Sequence, residues 1–353
     1  MSSPHVLLTT DQVGGVRDFC STLRDALDAR TTVLALGGTQ PKQDADVLWA
    51  PLKLEWMQES AADVQRTREQ VAEVVRERRI DVVHANQFAA ACVDVDVPVV
   101  LTLHSDVLSW RRHVLGAEGV PAEWRDYVDL VREALGRANR VVAVSGFLAD
   151  QVRELYGCDR QIEVVYNGWP AAPRTTQRRD ITLLAGRIWD SAKNIQLAAH
   201  AALGWDAGAV YVAGDQHHPE TGDAMPLQMP LKQLGFLEHR NLQEWLGRAT
   251  IYLSPARYDP FGLLPLQAAL SGAALLLSDI PSYRELWNGA ARFFRSDDSD
   301  DLRQNWQALL AQPMERQRLA DRARARATRV YSALRMAAEY TRLYESVLQA
   351  VAA

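Results

Sequence analysis

The feature that most constrains this chain is an alternation of short apolar runs with helical stretches, and it occurs twice. In the first half HVLLT (His5 to Thr9), TTVLAL, DVVHA, VPVVLTLH, RVVAVS and IEVVYNGW read as strands. Helices are expected over about Arg17 to Ala29, Ser60 to Arg78, Trp124 to Arg137 and Gly146 to Gly157. The proline-bearing polar stretch PAAPRTTQRRD then breaks the pattern and reads as a linker. Beyond it the alternation resumes with ITLLAG, a helix KNIQLAAHAAL, AVYVAG, LKQLGFL, a helix LQEWLGRA, IYLS, a helix from Leu263 to Leu270, ALLLSD and ARFF, ending in long helices from about Leu302. Repeated strand and helix units bury their strands in parallel sheets. The expectation is α/β, with two domains of similar size, residues 1–172 and 173–332, and a cleft between them.

The length of 353 residues fits two domains, and 48% hydrophobic with 24% charged residues is ordinary for a globular protein. A formal charge of -5 supplies no general attraction to nucleic acid or anionic membrane. Cys20, Cys92 and Cys158 are too far apart for a metal or redox pair, and their odd number argues against a disulfide framework. The N-terminus enters an apolar strand without a basic leader, and no apolar run is long enough to span a bilayer. A cytoplasmic protein without a transmembrane segment is expected, with peripheral membrane contact left open.

Chemistry-bearing residues gather where strands end, which is where ligands bind in open parallel sheets. In SPARYDPFGLLPLQAALSG, Ser254 to Gly272, a strand runs through a polar turn into a helix. Asp259 in the turn and Gln267 two helical turns on can face one pocket. Gly14 and Gly15 open the first helix, either as a tight turn or as a place where backbone approaches an anion. His104 ends a strand, as a ligand-facing group or a local cap, and His84 is placed similarly. Arg187 and Lys193 flank a short strand-to-helix loop, a good anion site. His217 and His218 lack a third ligand at metal spacing and read as a solvated loop. The run from Arg316 to Arg329 reads as an exposed basic face.

GGV near the N-terminus, GRIWDSAKN, VSGFL with VVYNGW, and YDPFGLLPLQAALSG together resemble glycosyltransferase family 4, in order and over nearly the whole chain. The resemblance implies the GT-B fold, two Rossmann-like domains facing each other across a cleft. The terminal helix, 333–353, would cross back onto the first domain. It also implies a retaining transferase using a nucleoside diphosphate sugar, with no cofactor and no metal. The first domain would bind the acceptor and the second the donor. Arg187 and Lys193 match the pair that holds the diphosphate, and Gly15, beside Gly14, the glycine that meets it from the first domain. Gly235, Phe236 and Leu237 match the turn that reads the base. His104 matches a histidine near the transferred sugar. Phe261, Gly262 and Leu263 would offer backbone amides to sugar and phosphate oxygens. Asp259 matches the acid that meets donor-sugar hydroxyls, and Gln267 the acid that holds the ribose.

Asp259 and Gln267 are also departures, because both positions are glutamate in the family motif. Gln267 can donate as well as accept, whereas a carboxylate only accepts and usually binds more strongly. Weaker nucleotide binding is expected. The rival reading is a catalytically silent relative that binds nucleotide or sugar as a partner subunit; preserved Arg187, Lys193 and His104 argue against it. An epimerase or phosphorylase is a second rival, against which the spacing of the acidic motif and the lack of a cofactor-lysine motif count. The acceptor, whether saccharide, lipid-linked or small molecule, is not specified, and nucleic acid is not expected. The stretch from Leu108 to Val120, with Trp110, Arg111, Arg112 and His113, is a candidate acceptor surface.

Overall fold

A computed structural model describes residues 3–12, 14–38, 47–57, 61–171, 179–217, 222 and 231–352. Most of the expected linker, Ser60 and His218 lie outside the described residues. Contacts divide the chain into two compact units, Met1–Arg112 with Ala117–Pro170 and Ala333–Ala353, and His113–Gly116 with Ala171–Ser332.

The first unit runs β1 (His5–Asp11), α1 (Gly15–Ala26), β2 (Arg30–Leu36), β3 (Val47–Ala50), α2 (Ala61–Arg78), β4 (Val82–Ala85), α3 (Phe88–Ala91), β5 (Val99–Leu103), α4 (Val107–Trp110), α5 (Arg125–Arg137), β6 (Arg140–Ala143), α6 (Gly146–Tyr156) and β7 (Glu163–Val164). Its strands pair in parallel in the order β3-β2-β1-β4-β5-β6-β7. The signals for α6 act as expected: Ser145 caps it by accepting from the Leu148 N–H at 3.2 Å, and Gly157, at φ 65°, ends it.

The second unit runs β8 (Arg179–Ala185), α7 (Ile195–Ala202), β9 (Ala209–Ala213), β10 (Lys232–Gly235), α8 (His239–Arg248), β11 (Ala249–Ser254), α9 (Leu263–Ser271), β12 (Ala274–Ser278), α10 (Pro281–Trp287), β13 (Arg292–Phe294), α11 (Ser299–Ala311) and α12 (Pro313–Val330). Its strands are parallel in the order β10-β9-β8-β11-β12-β13. Each unit is a Rossmann-like layer with its own apolar core.

The last helix, α13 (Ala333–Ala352), belongs to the first unit. Met336, Ala337, Tyr340, Leu343, Tyr344 and Val347 recur on a helical period and pack on Val6, Leu8 and Phe19.

Some expectations change. IEVVYNGW contracts to the two-residue β7, while β3 and α10 arise where no element was read. VLWA is too short to carry a period, and α10 is nucleated by Pro281 at its first turn. The arginine run is exposed at Arg318, Arg322 and Arg329, but several of its charges are engaged. Arg326 donates to the Leu286 and Asn288 carbonyls at 3.1 and 2.8 Å, Arg316 to Asp180 at 3.1 Å, and Arg318 pairs with Glu315.

Candidate active site

In each sheet the first strand of the unit lies between neighbours that lead in opposite directions, β1 between β2 and β4, and β8 between β9 and β11. Loops leaving the carboxyl ends of the two strands on either side of that reversal diverge and open a crevice.

In the second unit these are the loops after β8 and β11, and they hold Arg187, Lys193 and Asp259. Lys193 Nζ lies 2.9 Å from Asp259 Oδ2 in a pair that is mostly shielded from solvent. Tyr283, from α10, donates to the same oxygen at 3.1 Å and also meets Ser254 Oγ at 2.8 Å. The Ser282 hydroxyl donates to the Asp259 carbonyl at 2.7 Å. Arg187 is held separately: its guanidinium donates twice to Asp190 Oδ2, at 3.1 and 2.6 Å, and lies 5.4 Å over the Trp189 ring. The other Asp190 oxygen accepts from the Ala192 N–H at 2.9 Å, which folds the loop back toward α7.

Two close approaches shape this edge. A Cβ on Gly214 would sit 1.8 Å from the Gly186 carbonyl oxygen, so the backbones after β8 and β9 meet only because residue 214 is glycine. Gly262, at φ 79°, caps α9, and a Cβ there would be 3.0 Å from Tyr283 Cε1. Phe261 is buried with its ring 5.6 Å from that of Tyr331, and Leu263 begins α9. At the far edge of the sheet Gly235 ends β10, its carbonyl accepting from the Gly214 N–H at 2.9 Å, with Leu237 half-buried beyond it. Phe236 is 77% exposed, an aromatic face that the fold leaves uncovered. Gln267 is buried in α9 and is bonded not to Asp259 but to Gln243 of α8, whose Nε2 lies 2.5 Å from Gln267 Oε1.

In the first unit Gly14, at φ 93°, precedes α1, which starts at Gly15 without a side-chain cap on its first-turn N–H groups. His104 follows β5. Its Nε2 lies 2.8 Å from Asn86 Oδ1, and its ring packs edge-on against Phe19 at 4.6 Å. Asn86 is anchored by donating its amide to the Thr9 carbonyl at 2.8 Å, so its oxygen accepts from His104 and leaves the histidine Nδ1 as an acceptor. Burial pushes the His104 pKa down to about 3, so this imidazole is neutral at physiological pH.

His84 is not ligand-facing. It is fully buried, between Tyr344 Oη at 2.7 Å and Thr102 Oγ1 at 2.8 Å, with its pKa also pushed down to about 3 by burial. Arg112, in the candidate acceptor stretch, is already paired with Glu118 at 3.1 Å and Glu154 at 2.9 Å. His217 bonds locally to Asp215. Among the described residues no group of three His, Cys, Asp or Glu side chains is arranged to hold a metal ion, and no helix is long and apolar enough to cross a membrane.

Sequence reasoning missed Asn86, Asp190, Gln243 and Tyr283. Asn86 directly follows a strand, a usable signal, and Asp190 lies three residues from Arg187. Gln243 and Tyr283 had no signal, since each reaches its partner from a neighbouring helix.

The family model described as Glycosyltransferase Family 4 matches residues 13–171, and that described as Glycosyl transferases group 1 matches residues 209–326. The chain is a family 4-like glycosyltransferase. The transferase is 25% identical over 296 residues to the alpha-maltose-1-phosphate synthase of Mycobacterium tuberculosis, covering 73% of this chain and 75% of that one. Its fold is similar to that of sucrose-phosphate synthase from Thermosynechococcus elongatus, with a TM-score of 0.82, 17% identity and coverage of 99% of this chain and 100% of that one. It is also similar to Anabaena HepE, solved in complex with UDP-glucose, with a TM-score of 0.72, 16% identity and coverage of 97% and 100%.

Proposed function

We propose that this transferase works with retention of configuration. It moves a sugar from a nucleoside diphosphate to an acceptor hydroxyl in the cytoplasm, in polysaccharide, glycolipid or glycosylated-metabolite biosynthesis. The observation that carries the reading is the Lys193–Asp259 pair, 2.9 Å apart across the crevice of the second sheet, with Arg187 set on the same loop as Lys193. Cations fixed in this way offset charge on a departing diphosphate without having to reorganise during the reaction. The second unit is proposed to take the donor and the first the acceptor.

In the proposed step the bond from the anomeric carbon to the diphosphate oxygen breaks, and its electron pair leaves with the diphosphate. The acceptor oxygen bonds to the same face of that carbon, and its proton passes to a diphosphate oxygen. Arg187 and Lys193 hold the leaving group and Asp259 orients a donor-sugar hydroxyl, while in the first unit the neutral His104 offers Nδ1 as a hydrogen-bond acceptor to the acceptor substrate. Charge stabilisation comes from these two cations, and no cofactor or metal enters the step. The UDP-glucose named for HepE supports a nucleotide-sugar donor.

The test is incubation of the full chain with a panel of nucleotide sugars, with and without cell extract as acceptor, following nucleotide release. Release from at least one donor is expected. Arg187→Ala and Lys193→Ala should each lower turnover by about tens- to thousands-fold. No release with any donor sinks the reading in favour of a silent binding subunit, and near-normal turnover in both variants removes the cations from the diphosphate.

A further inference from the structure

Gln243 and Gln267 occupy matching places in two adjacent helices. Each is the fifth residue of its helix, α8 from His239 and α9 from Leu263, and both helices begin on the carboxyl side of the sheet. Each glutamine therefore lies about 6 Å along its helix from that edge. α8 follows the Gly235 to Leu237 turn, and α9 follows the Asp259 to Gly262 turn. The two amides thus meet between the segment proposed to read a base and the segment proposed to meet a diphosphate and sugar, the interval in which a ribose would lie.

The contact has a direction. Gln243 Nε2 donates to Gln267 Oε1, and Gln267 is only 2% exposed. An amide has one accepting and one donating end. With its oxygen turned toward Gln243, the end of the Gln267 amide that faces away from that contact is its N–H group.

We propose that Gln243 is a positioning residue that fixes the Gln267 amide so that it donates to a ribose hydroxyl oxygen of the bound nucleoside diphosphate. This rests on the reading of Ser254 to Gly272 as the donor site. A hydroxyl that receives a hydrogen bond does not need its own proton. The site therefore tolerates a ribose whose hydroxyl is methylated, whereas a carboxylate at position 267 requires the hydroxyl hydrogen.

The experiment is calorimetric binding to the full chain of UDP, GDP and ADP, then of the 2′-O-methyl and 3′-O-methyl forms of the tightest of them. The wild type is compared with Gln267→Glu, Gln243→Glu and Gln243→Leu, each checked by thermal melting. Methylation at the contacted hydroxyl should cost Gln267→Glu about tenfold more affinity than it costs the wild type, the order of one charge-assisted hydrogen bond. Gln243→Glu is the decisive arm. Glutamate at 243 accepts from Gln267 Nε2 and turns Oε1 toward the ligand, so discrimination against the methyl ether appears with Gln267 unchanged. Gln243→Leu should release the amide and lower affinity for the parent diphosphate by about three- to tenfold. A methylation penalty equal in all four proteins overturns the inference and leaves the donor site standing. No binding of any diphosphate by the folded wild type overturns the donor-site reading and this inference with it.

Discussion

Lys193 and Arg187 are held in place by protein acids, Asp259 and Asp190, and differ in how much freedom that leaves them. Lys193 is a point charge that can pivot between Asp259 and an incoming anion, whereas Arg187 has one edge of its planar fork committed to Asp190 and its face over Trp189. The two histidines at the centre of the first sheet act in the opposite way, by staying neutral. His84 has its pKa lowered from 6.5 to about 3 by burial. Above pH 6.5 both folded and unfolded chains leave it neutral. As pH falls toward 3, the unfolded chain takes up a proton that the folded one refuses, so stability is lost in that window. Chemical denaturation between pH 7 and pH 5 should show the midpoint falling with pH. His84→Gln, which can still meet Tyr344 and Thr102, should flatten that slope by up to one proton, about 1.4 kcal/mol per pH unit at the acid end. An unchanged slope would mean that His84 is protonated in the folded chain.

At the scale of elements, the second unit depends on strands that end close together. Gly186 and Gly214 have φ of 148° and 150°, and their backbones cross at the carboxyl ends of β8 and β9. The Gly186 N–H bonds to the Ala213 carbonyl at 3.0 Å and the Ile188 N–H to the Asp215 carbonyl at 2.8 Å, which ties the Arg187 loop to the neighbouring strand. Gly214→Ala should therefore push the two loops apart. A methyl group 1.8 Å from a carbonyl oxygen cannot be accommodated by a rotamer change, and the cost should exceed about 3 kcal/mol. The expected result is a clear loss in thermal midpoint together with loss of turnover. Wild-type melting would show that the backbone relaxes there.

At the scale of the whole molecule, the chain leaves the first unit, builds the second, and returns to complete the first with α13. The returning helix contributes more than apolar cover, since Tyr344 bonds to His84 at 2.7 Å and Tyr340 to Thr102 at 3.0 Å beneath the site loops. Burying a large apolar side chain is worth roughly 1.5–3 kcal/mol, so the apolar face of α13 matches in order of magnitude the whole stability of a domain. A chain ending at Ser332 should therefore show a protease-sensitive first unit, and limited proteolysis should cut it while sparing the second. Equal resistance of both units would make α13 an accessory.

Read alone, the sequence determined the two runs of strand and helix, the parallel sheets, and the polar residues at strand ends. Apolar runs of that length can be buried only in a covered sheet, and Arg187, Lys193, His104 and Asp259 lie in the segments that follow such runs. It could not determine which loops meet, because that depends on strand order. Lys193 reaches Asp259 over 66 residues only because β11 lies beside β8, and Asn86 reaches Thr9 over 77 because β4 lies beside β1. The apolar runs alone did not distinguish His84 from His104, since both end or follow strands; Tyr344 of α13 covers His84, whereas His104 lies just past the carboxyl end of β5. The Gln243–Gln267 contact belongs wholly to the tertiary structure, since the direction of an amide is set by its neighbour across a helix interface rather than by anything in its own segment.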